Sequence, residues 1–209
     1  TKYNIGTATL PDLPRDRHVI LVPGQVADDA SIRLGTDAVS DNTALLARTR
    51  AENPDAFLVY KPHPDVEAGL REGAVAADNA DLVLAGTDAA ALLRAVDAVW
   101  TMTSTVGFEA LLRGVPVTCL GTPFYAGWGL TADLGRVPAR RVARPNLAQL
   151  VHAVLIGYPR YHDPVTGTPC PVEVAVDRLA AGRALPRSPL NRLLAKAQGA
   201  LASQAHLWR

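Results

Sequence analysis

Short apolar runs and stretches with helical spacing alternate along the first two thirds of the chain. Apolar runs bounded by Pro, Gly or polar residues predict five buried strands, at 18–25 ("HVILVPGQ"), 56–62 ("AFLVYKP"), 80–86, 97–103 and 115–121. Apolar residues at helical spacing predict a helix at 42–54, and a proline at the first helical position predicts one at 64–71. A cap at Thr87 or Asp88 predicts a helix at 88–96, and closure by Gly114 predicts one at 105–114. Strands that alternate with helices over short connections predict an α/β fold with a doubly wound parallel sheet.

The pattern changes past residue 145, where three stretches with helical spacing are separated by Pro and Gly. No further strand is predicted there. We therefore expect a lead-in segment over 1–16, a Rossmann-like domain over 17–145 and a C-terminal helical extension over 146–209. From Arg178 onward the chain carries six basic residues and no acid, with leucines at helical spacing. Such a helix suits an anionic membrane surface, or packs back on a neighbouring domain.

Composition narrows the functional classes. A net charge of +1 over 209 residues argues against general nucleic-acid binding. No apolar stretch approaches the roughly 20 residues that cross a bilayer, and no signal-peptide pattern is visible. Cys119 and Cys170 are too few for a disulfide framework and lack metal-ligand spacing. These features predict a reducing, cytosolic setting, and a start at Thr1 predicts a fragment or a trimmed chain.

Polar residues follow the strands where a parallel sheet gathers its ligand-binding groups, at the carboxyl ends. In "YKPHPDVE", Pro62 and Pro64 hold Lys61 and His63 extended, and Pro64 suits the first position of a helix. A lysine, an imidazole and a helix N-terminus together predict a phosphate or carboxylate site. The alternative is a solvated Lys61 and a His63 that caps a turn.

A second helix start, in "TSTVGFEALLRG", carries the hydroxyls of Thr103, Ser104 and Thr105. Gly107 would let a ligand approach the backbone, and Glu109 would accept hydrogen bonds from vicinal hydroxyls of a sugar. The alternative is an ordinary N-cap by Thr103 or Ser104, with Glu109 favouring the positive end of the helix.

Two further segments carry candidate chemistry. In "GQVADDAS", either Asp28 or Asp29 could face the cleft as a nucleophile or base while the other caps the next turn, unless both belong to an exposed turn. In "GTPFYAGWGLT", Tyr125 and Trp128 suit stacking on a base or sugar from a mobile loop, or the rings plug the loop onto the domain. No catalytic triad, Walker loop, zinc cluster or G-x-G-x-x-G is present.

Four blocks in order resemble the capsule polysaccharide biosynthesis family of the KpsC type, the bacterial β-Kdo transferases. They are "VLVPGQVADDASIRLG", "DAFLVYKPHPDVEAGLR", "TMTSTVGFEALLRGVPVTCLGTPFYAGWGLT" and "YPRYHDPVTGTPC". The resemblance implies the nucleotide-binding, Rossmann-like half of one GT-B glycosyltransferase module. The acceptor-side domain would then lie outside this sequence, and "AHLWR" would be a natural C-terminus.

The resemblance also implies a reaction and its residues. The donor would be CMP-β-Kdo, with no other cofactor and no metal, and the acceptor a β-Kdo linker on lyso-phosphatidylglycerol at the inner face of the cytoplasmic membrane. Partners would include capsule assembly and export proteins, and no nucleic acid. Lys61 and His63 would hold the phosphate, Ser104 and Thr105 would add hydroxyl contacts, and Glu109 would take the ribose. Asp29, spaced from Gln25 as in Q-x-x-x-D, is preferred over Asp28 as the nucleophile.

Two alternatives remain beside this expectation. The chain could be a non-catalytic CMP-binding fragment or scaffold domain that lacks its acceptor half. It could also belong to another GT-B-like enzyme, such as a UDP-sugar epimerase or transferase, which would bind UMP or UDP instead.

Overall fold

The computed structural model describes residues 10–67, 69, 73, 75 and 77–183. Internal contacts divide the chain into two compact units, between Leu150 and Val151, a few residues after the predicted boundary at 145. Among the described residues no helix is long and apolar enough to cross a membrane.

The first unit is built on a parallel sheet. Its strands are β1 (Val19–Pro23), β2 (Phe57–Lys61), β3 (Leu82–Val83), β4 (Ala98–Thr101), β5 (Val117–Cys119) and β6 (Ala132–Asp133). They lie in the order β3-β2-β1-β4-β5-β6, and every paired strand runs parallel to its neighbour. In this doubly wound order the direction of winding reverses between β1 and β4, which is where such sheets open a crevice at their carboxyl edge.

Helices connect these strands. They are α1 (Ala30–Gly35), α2 (Asn42–Glu52), α3 (Pro64–Glu67), α4 (Ala89–Leu92) and α5 (Thr105–Leu111). All five residues of β1 are buried, as expected for a central parallel strand that is covered on both faces. Ile20 and Val22 pack in one cluster with Leu45, Leu46 and Leu58, so α2 covers one face of the sheet beside β1 and β2.

The first unit ends within α6 (Leu147–His152), which continues into a π-helical turn at Ala153–Gly157. In the second unit β7 (Tyr161–His162) pairs antiparallel with β8 (Pro169–Cys170), and α7 (Val172–Ala180) follows. Asp163, which follows β7, is buried and forms an ion pair with Arg178 of α7. Arg178 Nε lies 3.4 Å from Asp163 Oδ1. The backbone N–H of Val165 and this guanidinium lower the pKa of the Asp163 carboxyl.

The doubly wound fold is confirmed, and several elements differ from the prediction. The expectation that no strand follows residue 145 is wrong, because β7 and β8 form a hairpin there. The sequence pattern also missed α1 and the sixth strand, β6. The predicted strand at 80–86 reduces to two residues. The last part of the predicted helix at 64–71, and the basic C-terminal stretch from residue 184, lie outside the described residues.

Candidate active site

The carboxyl ends of three neighbouring strands meet at one point of the first unit. Pro23, the last residue of β1, is the register partner of Lys61, the last residue of β2, and Leu21 of β1 pairs with Val99 of β4. The backbone N–H of Gly24 donates to the Lys61 carbonyl at 2.7 Å, which extends the pairing past the end of β1. The segments that follow β1, β2 and β4 therefore leave the sheet side by side.

These segments enclose a cavity of about 500 Å³, within the roughly 300–1,000 Å³ range of small-molecule sites. Nine of the predicted residues line it: Gln25, Asp29, Lys61, His63, Pro64, Thr103, Ser104, Thr105 and Glu109. Four do not: Asp28, Gly107, Tyr125 and Trp128. The crevice at the reversal point of the sheet thus gathers most of the polar groups that the sequence placed at strand ends.

Lys61 is the most unusual group in this cavity. Its residue surface is only 6% exposed, and burial is the main cause that lowers the pKa of its ammonium group. The carboxylates of Glu67 and Asp88 act in the opposite direction. Among the described residues, however, no side chain makes a hydrogen bond or an ion pair with its Nζ. A largely buried lysine without a close partner for its ammonium group is costly, which indicates that this group meets a ligand in the cavity.

His63 stands at the start of α3, next to Lys61. Its Nδ1 accepts a hydrogen bond from the backbone N–H of Asp65 at 3.1 Å, so the neutral ring carries its proton on Nε2. Its carbonyl accepts the N–H groups of Val66 and Glu67. The turn-capping role considered from the sequence is therefore real, and it fixes the ring at the cavity wall. Because α3 has only four residues, the positive potential here comes mainly from side chains.

Gln25 links β1 to β4 across the reversal point. Its Oε1 accepts from the backbone N–H of Thr103 at 2.9 Å and from the Thr101 hydroxyl at 3.2 Å, while its Nε2 donates to the Thr103 hydroxyl at 2.8 Å. Its backbone exchanges hydrogen bonds with the Asn42 side chain, at 2.9 and 2.8 Å. Gln25 is buried, and its side-chain oxygen and nitrogen are both hydrogen-bonded within the protein. Its main role is therefore to hold the wall of the cavity in place.

The network continues to the aspartate that lines the cavity. Thr103 donates from its hydroxyl to Ser31 Oγ at 3.2 Å, and the backbone N–H of Ser31 donates to Asp29 Oδ1 at 2.8 Å. Asp29 is thereby the N-cap of α1, with its carboxylate held at the cavity rim. Asp28 is exposed and outside the lining. The structure therefore separates the two acids that the sequence left as near equals.

The start of α5 forms the opposite wall. Ser104 is the N-cap, and its Oγ accepts a hydrogen bond from the backbone N–H of Val106 at 3.2 Å. Its hydroxyl group can therefore act as a donor to a ligand. Thr105 is exposed beside it. The Glu109 carboxylate is only loosely paired with Arg113, at 4.0 Å. The wall thus presents hydroxyl donors and one carboxylate, groups that suit a phosphate edge and the hydroxyls of a sugar.

The aromatic residues predicted to contact a ligand lie elsewhere. Tyr125 is fully buried, and burial raises the pKa of its hydroxyl, which donates to the Ser104 carbonyl. A Cβ on Gly107 would lie 2.3 Å from this hydroxyl, so Gly107 accommodates Tyr125 and gives no space to a ligand. Trp128 donates from Nε1 to the Phe124 carbonyl at 2.7 Å, outside the cavity lining. The predictions that Gly107 and Tyr125 contact a ligand are therefore wrong.

The segment after β5 is also held firmly, contrary to the mobile loop expected. Arg141 donates to the carbonyls of Pro123 and Ala126, each at 2.6 Å, and the backbone N–H of Gly127 donates to Asp133 at 2.9 Å. Phe124 is the ring that reaches the cavity, 40% exposed and packed edge-on against Phe108 at 5.0 Å. Sequence reasoning missed it because three aromatics share this loop without a periodicity that distinguishes their sides.

A metal centre has no candidate ligands in the part of the chain that is described, since no group of three His, Cys, Asp or Glu side chains comes together there. Cys119 is fully buried at the end of β5, and burial raises the pKa of its thiol to about 12. Such a thiol is unreactive at neutral pH.

Curated proteins with related sequences come from capsule and lipopolysaccharide systems. The capsule polysaccharide modification protein LipA of Neisseria meningitidis serogroup A is 48% identical over 183 residues, which cover 86% of this chain and 26% of that protein. The lipopolysaccharide-processing protein LpsZ of Rhizobium meliloti is 45% identical over 188 residues, or 86% of this chain and 42% of that protein. The chain therefore spans less than half the length of these relatives.

Two solved structures share the fold. One is described as Thermosulfurimonas dismutans KpsC, beta Kdo 2,7 transferase, with a TM-score of 0.73 and 39% identity over 81% of this chain and 55% of that chain. The other, the beta Kdo 2,4 transferase of the same KpsC, has a TM-score of 0.74 and 32% identity over 83% and 56%. The sequence profile described as capsule polysaccharide biosynthesis protein matches residues 2–161, and the chain therefore belongs to that family.

Proposed function

We propose that this chain is the donor-binding half of a retaining glycosyltransferase that transfers Kdo from CMP-β-Kdo to a growing β-Kdo linker. The observation that carries the proposal is Lys61, a largely buried residue whose ammonium group has no close partner among the described residues and which lines a nucleotide-sized cavity beside His63. Both structural relatives are described as Kdo transferases, which favours this donor over UDP-sugars. The acceptor would be a lyso-phosphatidylglycerol glycolipid at the inner membrane face.

Each lining residue has a role in this proposal. Lys61 and the Nε2–H of His63 bind the phosphate of CMP, with hydroxyl donors from Ser104 and Thr105. The Glu109 carboxylate accepts hydrogen bonds from the ribose hydroxyls. Phe124 offers a ring edge or face to the cytosine base.

Asp29 carries the covalent step. Its carboxylate attacks the anomeric carbon of Kdo, and the bond from that carbon to the phosphate oxygen breaks, so that CMP leaves as an already ionised phosphate. The acceptor hydroxyl then attacks the same carbon, displaces the carboxylate and gives up its proton to solvent. Two successive inversions retain the β configuration. The N-cap bond from Ser31 fixes the carboxylate without protonating it.

Matched aspartate variants test the assignment in the full-length protein that contains this chain. Asp29→Ala should lower the rate of Kdo transfer more than about a thousandfold, while the affinity for CMP changes little. Asp28→Ala, one position away and outside the cavity, should keep most of the activity. Intact-mass spectrometry of the wild type with donor alone should show an adduct of one Kdo. Full activity in Asp29→Ala would remove it as the nucleophile.

A second candidate is a CMP-binding domain without catalytic turnover. It is favoured by one fact, namely that the chain spans only about half of the solved relatives. This candidate predicts that the chain binds CMP but shows neither an adduct nor transfer. An adduct on Asp29 would exclude it.

A further inference from the structure

A second cavity adjoins the first. It has a volume of about 450 Å³ and is lined by Leu34 and Gly35 of α1, by Thr122, and by Arg136, Arg140 and Arg141 among others. Among the described residues none lines both cavities, but the two linings lie close together, since a Cβ on Gly35 of the second would be 3.1 Å from Cγ2 of Thr103 in the first.

Positive charge dominates this second cavity. Among the described residues, neither the Arg136 nor the Arg140 guanidinium has a carboxylate within 4.0 Å or a hydrogen-bond partner for its side chain, whereas Arg48 has Glu52 at 2.8 Å. The sequence contains no Asp or Glu between Asp133 and Asp163. The carboxylate of Asp133 is already engaged by the N–H of Gly127 and the hydroxyl of Thr131.

Arg141 forms the rigid back of the cavity. It bonds to backbone carbonyls of the loop, and its guanidinium lies 5.4 Å from the centre of the Trp128 ring. Burial and the neighbouring charge of Arg140 lower the pKa of Arg141, while Asp133 opposes them. Arg140 and Arg136 are exposed and line the same cavity. Two exposed guanidinium groups beside a third that is hydrogen-bonded to the loop suit an anion.

We infer that this second cavity binds an anionic group of the acceptor, a carboxylate or a phosphate, through Arg136 and Arg140. This rests on the proposed function, in which the acceptor is an acidic glycolipid and must lie beside the donor. Guanidinium groups bind carboxylate and phosphate in a bidentate manner, which would fix the direction of the growing chain. Leu34, which is 87% exposed at the same rim, offers an apolar contact for the ring or glycerol carbons.

The test is an Arg136→Gln/Arg140→Gln double variant of the full-length protein, with Arg94→Gln, an exposed arginine outside both cavities, as the matched control. Binding is measured by calorimetry with two probes, a β-Kdo disaccharide on a neutral alkyl group and an alkyl glycerol phosphate. Transfer is measured at saturating CMP-β-Kdo with each acceptor. CMP titration of every variant checks that the donor site is intact.

The double variant should bind one of the probes about tenfold more weakly, and the KM of the corresponding acceptor should rise by about the same factor. The reason is that each guanidinium adds a charge-assisted contact. The value of kcat and the affinity for CMP should stay within about threefold, and Arg94→Gln should match the wild type. Loss confined to the disaccharide identifies a sugar carboxylate, and loss confined to glycerol phosphate identifies the lipid phosphate.

Two results would overturn the inference. One is unchanged binding of both probes in the double variant with CMP still bound, which leaves the donor site as proposed. The other is a wild type that binds neither probe at millimolar concentration. A wild type that fails to bind CMP would instead contradict the proposed function, and the inference with it.

Discussion

At the scale of single residues, the largely buried position of Lys61 costs stability, and the fold alone does not explain it. Burial lowers the pKa of its ammonium group, so the folded chain holds this proton less tightly than the unfolded chain, where lysine titrates near 10.5. The cost of the buried charge is therefore present at neutral pH. It is relieved as pH rises through the lowered pKa toward 10.5. Stability should increase with pH in that alkaline window.

Lys61→Met should make the ligand-free protein more stable and unable to bind its ligand. Methionine is uncharged, unbranched and only slightly shorter than lysine, so the change removes the desolvation cost of the charge; it should raise the free energy of unfolding by about 1 kcal/mol at pH 7 and abolish the rise at alkaline pH. Urea denaturation at several pH values measures both effects, with Arg94→Gln as the control. A Lys61→Met protein less stable than wild type by a similar amount would show that Lys61 supports the fold.

Residue-level prediction succeeded where the position along a strand decides the outcome. The strand ends are followed by Lys61, His63 and Glu109. Parallel strands bring their carboxyl ends to one edge of the sheet regardless of the lengths of the helices between them. Reasoning from the residues left Asp28 and Asp29 open, and only the resemblance favoured Asp29, because the choice depends on which of them caps α1, and that helix was not predicted. It could not choose among the rings of the loop, since Tyr125 points into the core and Phe124 toward the cavity.

At the scale of elements, α5 and the segment after β5 act as one wall of the site. Tyr125 packs against Gly107 and donates to the carbonyl of Ser104, so the buried ring holds the N-terminus of α5 against the loop that carries Phe124. The glycine in the middle of this short helix is explained by the ring, since glycine lowers helix stability unless close packing requires it.

Gly107→Ala should therefore destabilise the protein, although alanine is the better helix former. The new Cβ would lie 2.3 Å from the Tyr125 hydroxyl, and overpacking of this kind costs about 1–3 kcal/mol. Urea denaturation measures the loss. In a Tyr125→Leu background the same change should become neutral or favourable. A gain of stability from Gly107→Ala alone, up to the roughly 1 kcal/mol of helix propensity, would show that the ring does not contact this glycine.

Elements with a clear apolar run or a boundary residue were predictable, and elements without either were not. The buried runs of β1 and β2 and the cap-bounded α4 and α5 carry enough residues to show a period or a boundary signal. In α1 only Ile32 is buried among six residues, so its sequence has no amphipathic pattern that would predict a helix. The strands β6, β7 and β8 have two residues each, and only their partners define them.

At the scale of the whole molecule, the sheet order decides where the site lies. Winding from β1 toward β3 on one side and from β4 toward β6 on the other leaves the crevice between β1 and β4 uncovered by any crossover. The candidate groups of α1, α3 and α5 all border that crevice. We propose that this crevice binds cytidylate, with Lys61 as the cation that meets its phosphate.

Calorimetric titration of the chain with CMP, UMP and ADP is the decisive test of this proposal. We expect saturable binding of CMP with a preference of at least about tenfold over the other two nucleotides, and loss of that binding in Lys61→Met but not in Arg94→Gln. Equal affinity for all three nucleotides, tighter binding of UMP, or unchanged CMP binding in Lys61→Met would contradict it.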